Sequence, residues 1–380
     1  MRSLLRQCVF LSLLSACAGF VLPGHVYGQA PSSAPIMPLA AQSLLLDISS
    51  AGERIVVAGE RGHILYSDDQ GVHWQQANVP TVQMLTGVHF IDAQYGWAAG
   101  HDGLVLASDD GGANWRVQRN GLSAQHQANL EARESAYQAI RQLEQALVSA
   151  DDEQRDELAM ALEDAQLDLE DADIALAEPV HTPPLMDIWF QDENHGWAVG
   201  AFGTFLATSD GGLHWRDARE YLDNPDEFHL NAITGDGRGR VFIAGEGGVL
   251  YRSLDGGERW QSLEPIYHGS WFGAVYEAES DALLVFGLQG TLYRSGDFGD
   301  SWQMLPNDSS ISLAGGNARG GNIVIVGGVG TVLTSDDGGH SFSHGMLSDR
   351  LSLSNGLPLG DRLLLVGQGG AKLRATGGEQ

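Results

Sequence analysis

A Gly-x-x-Gly turn followed eight residues later by a Ser/Thr-x-Asp-x-Gly-x-x-Trp motif constrains this chain more than any other feature, because the pair recurs along most of its length. The leading glycines are Gly59, Gly100, Gly200, Gly245, Gly287, Gly327 and Gly367, at steps of 41, 100, 45, 42, 40 and 40. The second motif reads Ser67/Asp69/Gly71/Trp74, Ser108/Asp110/Gly112/Trp115, Thr208/Asp210/Gly212/Trp215, Ser253/Asp255/Gly257/Trp260 and Ser295/Asp297/Gly299/Trp302. A sixth copy, Ser335/Asp337/Gly339, ends in Phe342, and in the seventh the motif has decayed to Ala375. Self-similarity at a period near 40 residues is a unit of architecture before it is a site.

Each period reads as four short strands. Around Gly287 these are Trp271-Phe-Gly-Ala-Val-Tyr, Ala282-Leu-Leu-Val-Phe, Thr291-Leu-Tyr-Arg and a run starting at Trp302. Short strands parted by Gly/Asp/Asn turns indicate a sheet protein, and four strands per such period is the propeller pattern. The expected fold is therefore an all-β, seven-bladed β-propeller with four-stranded blades. The N-terminal segment around Pro35–Ala40 is expected to supply the outer strand that the seventh unit lacks and so close the ring. The repeated Asp residues (Asp69, Asp110, Asp210, Asp255, Asp297, Asp337) read as turn builders. The carboxylate accepts backbone N–H groups across the turn, Gly supplies a positive φ, and Trp74, Trp115, Trp215, Trp260 and Trp302 pack between neighbouring sheets. A calcium loop of the helix-loop-helix type would need a bidentate Glu that the spacing lacks.

These repeats resemble the Asp-box (BNR) propellers, and most closely the photosystem II stability/assembly factor family. Gly-Trp-Ala-Ala-Gly (Gly96–Gly100), Gly-Trp-Ala-Val-Gly (Gly196–Gly200) and the six Asp boxes carry the likeness, which extends from about residue 40 onward except for one insertion. The resemblance implies an exported, non-enzymatic seven-bladed propeller that helps a membrane complex assemble. It also implies docking through arginines, in which this chain is poor, so a client such as a bacterial envelope transporter fits as well.

The step of 100 residues between Gly100 and Gly200 holds that insertion, from about 121 to 178. It divides the propeller into residues 31–120 (blades 1 and 2) and 179–380 (blades 3 to 7). Leu158, Leu162, Ala165, Leu169, Ala172 and Leu176 form a heptad seam, and Ala136, Ile140, Leu143 and Leu147 step similarly. Two antiparallel helices of roughly 25 residues, about 37 Å long, are expected, with Ser149–Glu153 as turn and N-cap. The segment carries 15 Asp/Glu and three Arg, net −12 of the chain's −28. Insertions in repeat proteins fall in loops, often on the binding face; this one belongs beside the channel mouth, on the face of the Gly-x-x-Gly turns.

The net charge of −28, with Lys372 the one lysine, excludes nucleic acid, whose phosphates need a basic face. Residues 1–30 read as an export signal, with Arg2 and Arg6 ahead of an apolar run. Leu14-Ser15-Ala16-Cys17 also matches a lipobox, so simple secretion and a lipid anchor at Cys17 both stand. Either reading puts the protein on the periplasmic or lumenal side. Cys8 and Cys17 both lie in this segment, which leaves the folded part without a thiol.

No nucleophile elbow occurs, and the arginines do not form the cluster of a sialidase. No carboxylate pair of a glycosidase stands out, and His181, His229 and His268 fall on different blades. No enzyme, cofactor or metal is therefore expected, and the fitting role is a protein-binding scaffold; the alternative is a glycan-binding or glycoside-hydrolase/sialidase-like Asp-box propeller. Candidate partner contacts are Arg61, His101, Phe202, Glu246, Gln289, His229 and Trp271 on the turn-bearing face, with Tyr137 and Leu158 on the arm. Their mix of aromatic and polar groups suits a protein interface.

Overall fold

The computed structural model describes residues 33–307 and 309–376, so the export-signal reading of residues 1–30 and both cysteines lie outside the described residues. The repeat folds into seven antiparallel sheets arranged as blades, and each blade meanders from an inner to an outer strand. Blade 1 runs Leu45–Ala51, Arg54–Gly59, Ile64–Ser67, Gln75–Gln76, and blades 2 to 6 repeat the order from Leu85, Leu185, Leu230, Trp271 and Leu313. Blade 7 comprises Leu353–Leu359, Arg362–Gly367 and Lys372–Ala375.

The core lies between blades. The second strands are buried on both faces, as in Val241–Gly245, whose five residues are all buried; hence these strands read as continuous apolar runs in the sequence. Each Asp-box Trp leans on the preceding blade. Trp260 meets Phe205 edge-on at 5.1 Å between ring centroids, Trp302 meets Phe242 at 5.8 Å, and Trp74 packs into the cluster that holds Leu357 and Leu364 of blade 7.

In every Asp box the hydroxyl is the hub. In blade 2, Gly112 N–H donates to Ser108 Oγ at 2.9 Å, and Ser108 Oγ–H donates to Asp110 Oδ1 at 3.0 Å. Asp110 Oδ1 also accepts from Ala113 N and Asn114 N, each at 3.0 Å. Gly112 has φ +85° and faces Val56 and Phe90 so closely that a Cβ would crowd them, which is why the box needs Gly there.

The last blade departs from expectation. Among the described residues it has three strands, and the segment around Pro35–Ala40 does not add a fourth. That segment runs along the outer edge of blade 1 instead. Ala34 N–H donates to Val79 O at 2.9 Å, and Gln76 brackets the segment through Met37 N and Pro35 O, each at 2.9 Å. Residues 40–42 then form a turn of 3-10 helix whose Ala41 O accepts Ala371 N–H at 2.9 Å. Pro35 and Pro38 lack the N–H that a ladder strand needs. The ring closes through side chains: Asn355 of blade 7 donates to Asp47 of blade 1, and Arg362 donates to Gln70 at 2.6 Å.

Two helices form the insertion: α1, Gly121–Ser149, and α2, Asp152–Ala177. Asn120 caps α1 by accepting Ser123 N–H at 3.1 Å, and Asp151 caps α2 by accepting Gln154 N–H at 3.0 Å. Ala136, Ala165 and Ala172 are buried in the seam; their small side chains let the helices approach closely. At 1.5 Å per residue α1 is about 43 Å long. No described helix is long and apolar enough to cross a membrane.

Candidate functional site

All seven Gly-x-x-Gly turns share one construction. The N–H of the residue after the first Gly donates to the carbonyl just before the inner strand, as in Glu60 N to Leu44 O at 3.0 Å and His101 N to Met84 O at 2.9 Å. The next residue adopts the left-handed conformation even where it is not Gly: Arg61, Asp102, Phe202, Gln289 and Val329 have φ between 54° and 58°. This conformation costs about 1–3 kcal/mol for a residue with a Cβ. The closing Gly cannot be replaced cheaply, because a Cβ on Gly248 or Gly290 would run into the backbone carbonyl of Tyr267 or Ser309. Five non-glycine side chains are thereby set on one face by the turns themselves.

The arm is rooted on that same face. A Cβ on Gly121, the first residue of α1, would meet Asp102 O and Gly103 Cα of the blade 2 turn. Arg119 Nη1 donates to Gly103 O at 2.5 Å, and Thr182 on the return path also borders Gly103. Asp102 is itself held by Gln83 Nε2.

The structure gathers some of the expected contact residues and separates others. Phe202 is exposed and lies edge-on to His229 at 4.9 Å between centroids. His229 N–H donates to Glu246 Oε2 at 3.3 Å, so these three form one cluster over blades 3 and 4. Beside it is a cavity of about 460 Å³ lined by Phe202, Asp217, Arg219, Leu222, Asn224 and Glu227. Arg219 is held in a fork with Asp217, Nε and Nη2 donating at 2.9 and 2.7 Å to Oδ2. Arg61, His101 and Gln289 are exposed on other blades of the ring and do not join the cluster.

Trp271 is a correction. Its side chain is fully buried, packed against Tyr267 at 5.3 Å and Tyr293 at 5.8 Å, and it cannot touch a partner. It occupies the first inner-strand position, held elsewhere by Leu45, Leu85, Leu185, Leu230, Leu313 and Leu353, all buried. On the arm, Tyr137 is exposed, whereas Leu158 is half-buried, on the same heptad line of α2 as the buried Ala165 and Ala172.

The channel holds what sequence reasoning missed. A cavity of about 280 Å³ on the ring axis is lined by all seven inner strands and contains Asp47, His89, Asp187 and Asn355. Asp47 Oδ2 accepts Val88 N–H of the next blade at 2.7 Å, and Asp187 Oδ2 accepts Ile233 N–H at 2.9 Å. Their Oδ1 atoms accept Ile48 and Ile188 N–H at 2.8 and 2.7 Å. Burial pushes Asp47 up to about 6; burial and then the charge of Asp47 push Asp187 up to about 8. His89, sunk beside Trp189, is lowered to about 4 by burial. With every carboxylate oxygen holding a backbone N–H, the pair ties blade 1 to 2 and blade 3 to 4. The signal was a Leu-x-Asp or Leu-x-Asn at the start of an inner strand: Leu45/Asp47, Leu185/Asp187, Leu353/Asn355. Among the described residues no group of three or more His, Cys, Asp or Glu is placed to hold a metal.

Comparison with known proteins gives this face its context. The family model described as "Photosynthesis system II assembly factor YCF48" matches residues 66–139 and 173–317, more than half of the chain. The chain belongs to the YCF48 family. The stretch from 140 to 172, most of the arm, lies outside the match. The "Photosystem II assembly lipoprotein Ycf48" of Synechococcus sp. (strain CC9902) is 42% identical over 79 residues, 20% of this chain and 23% of that protein. The "Photosystem II assembly protein Ycf48" of Thermosynechococcus vestitus is 36% identical over 56 residues, 15% of this chain and 16% of that protein. The chain thus spans less than a quarter of the length of the curated relatives it matches. Among solved structures, "YCF48 bound to D1 peptide" superposes with a TM-score of 0.59 at 14% identity, over 89% of this chain and 95% of that one. YCF48 from Cyanidioschyzon merolae gives 0.57 at 14% identity, over 90% and 98%. The WD40 propeller of Doa1, at 0.54 and 10% identity over 90% and 95%, shows that this likeness is one of fold.

Proposed function

We propose that this protein is a non-enzymatic assembly scaffold that holds an extended segment of a membrane-complex subunit on its turn-bearing face, beside the arm. Family membership supports the reading, as does a relative solved with a peptide of D1. The observation that carries it is the Phe202/His229/Glu246 cluster, which sets an exposed aromatic anchor and a carboxylate beside an open cavity of about 460 Å³. An exposed aromatic held by a backbone that cannot relax is the kind of group that contributes most at interfaces. In this reading the protein is exported, with Cys17 as the lipid-anchored residue, in keeping with the lipoprotein name of the Synechococcus relative.

The test is fluorescence anisotropy of a labelled D1 peptide titrated with the purified chain. Saturable binding is expected, weakened about tenfold by Phe202→Ala together with Glu246→Ala, a loss of about 1.4 kcal/mol. Absence of saturable binding, or affinity unchanged in the double variant, would overturn the assignment. Mass spectrometry of the exported protein, looking for a diacylglyceryl group on Cys17, tests the anchor.

A further inference from the structure

The seam of α2 points Leu158, Leu162, Ala165, Leu169, Ala172 and Leu176 toward α1. The opposite side of the same helix should be its most polar line. It instead carries Met160, Leu167 and Ile174, exposed by 63%, 54% and 50%. They stand seven residues apart, and an α-helix drifts only about 20° per heptad, so the three form one straight ridge about 21 Å long. The equivalent line on α1 is Glu131, Gln138 and Gln145, as a solvent-facing helix should be. Exposed apolar residues scattered singly, such as Tyr137 and Val148 on α1, need no explanation; three in register along one line of α2 do.

The flanks of the ridge are uniform in charge. On one side run Asp156, Glu163 and Glu170; on the other run Glu157, Asp164 and Asp171. Among the described residues none of these six makes an ion pair; the arm's cations reach Asp173, Glu134 and Asp152 instead. A second copy of the arm would bring net −12 against net −12, and an anionic lipid surface would be repelled in the same way.

We propose that the outward face of α2 is a docking ridge for an amphipathic helix of a partner, one whose apolar positions recur every heptad and are bordered by Lys and Arg. Packing such a helix on the ridge would cover Met160, Leu167 and Ile174, and would give both rows of carboxylates partners close to an excluded-water seam, where charge pairs count for more. The inference shares with the proposed function only the premise of a protein client, and it concerns a different surface.

The probe is a labelled synthetic helix of three heptads with Leu along one stripe and Lys and Arg beside it. Its control has the same composition with the Leu residues scattered around the helix. Both are titrated into the full chain and into Met160→Gln/Leu167→Gln/Ile174→Gln, whose helix content is checked by circular dichroism. The striped peptide should bind the wild type about tenfold or more tightly than the scattered one. It should lose the same factor on the variant and weaken as salt rises toward 1 M. Equal binding of the two peptides, full affinity in the variant, or sedimentation showing that the wild type self-associates through the ridge would each overturn the proposal. D1-peptide binding measured on the same variant separates the two readings: its loss there would implicate the arm in the turn-face site, and its retention keeps them independent.

Discussion

At the residue scale, the Asp box shows how little sequence a turn needs when every atom is used. The Ser or Thr hydroxyl accepts the N–H of the Gly and, at longer range, that of the Asp, and it donates to the carboxylate, so removing it strands a buried donor and weakens the acceptor's hold on the next turn. Ser108 is buried, and Ser108→Ala is expected to destabilise the chain by about 1–3 kcal/mol, read as a lower urea midpoint with unchanged slope. The box geometry was legible because it is local: Asp, Gly and Trp stand within eight residues of one another. Trp271 was misread for the opposite reason. Taken alone it is an aromatic after a loop, and only the register of its blade, Trp271 opposite Gly287 as Leu45 is opposite Gly59, places it in the core.

Among the elements, the arm was predicted in place and kind because its periodicity switches from two to three and a half and its glycines vanish. What spacing could not convey was the outward line of α2, since a seam is recognised by what it buries and a ridge by what nothing covers. The outer strand expected from Pro35–Ala40 failed because edge closure depends on where a segment lies after the ring has formed, which no local pattern encodes. The root of the arm yields a test. Both of its ends border Gly103, so replacing residues 121–178 with a short Gly/Ser linker should leave the propeller folded. The far-ultraviolet spectrum should lose its helical component, while the thermal midpoint of the sheet signal stays within a few degrees. Collapse of that midpoint would show that the arm supports the ring.

Across the whole molecule, two sets of aspartates pull stability in opposite directions with pH. The boxes hold Asp69 and Asp210 at about 2, first through the N–H of His73 and His214. Below the ordinary value of 3.8 the unfolded chain takes up protons that the folded boxes refuse, so stability falls as acid carries the pH toward 2. In the channel the sense is reversed. Asp187, raised to about 8, keeps its proton in the fold after the unfolded chain has released it, so its contribution is complete below 3.8 and is lost as pH rises through 8. Asp47 does the same up to about 6, and His89, held neutral down to about 4, opposes it below 6.5. The Asp187 effect is therefore read between 6.5 and 8. Over that range the urea midpoint of the wild type should decline, and Asp187→Asn should flatten the decline; an unchanged slope would mean that Asp187 does not titrate there.

The outer strands carry a last consequence. In four of the blades they are only two residues long: Gln75–Gln76, Arg216–Asp217, Gln261–Ser262 and Gln303–Met304. At these four blades the rim offers a neighbouring molecule almost no ladder to extend; longer edges of four residues are Arg116–Arg119, Ser343–Met346 and, on three-stranded blade 7, Lys372–Ala375. Backbone pairing between crowded copies should thus be confined to those three edges, and elsewhere association falls to side-chain surfaces.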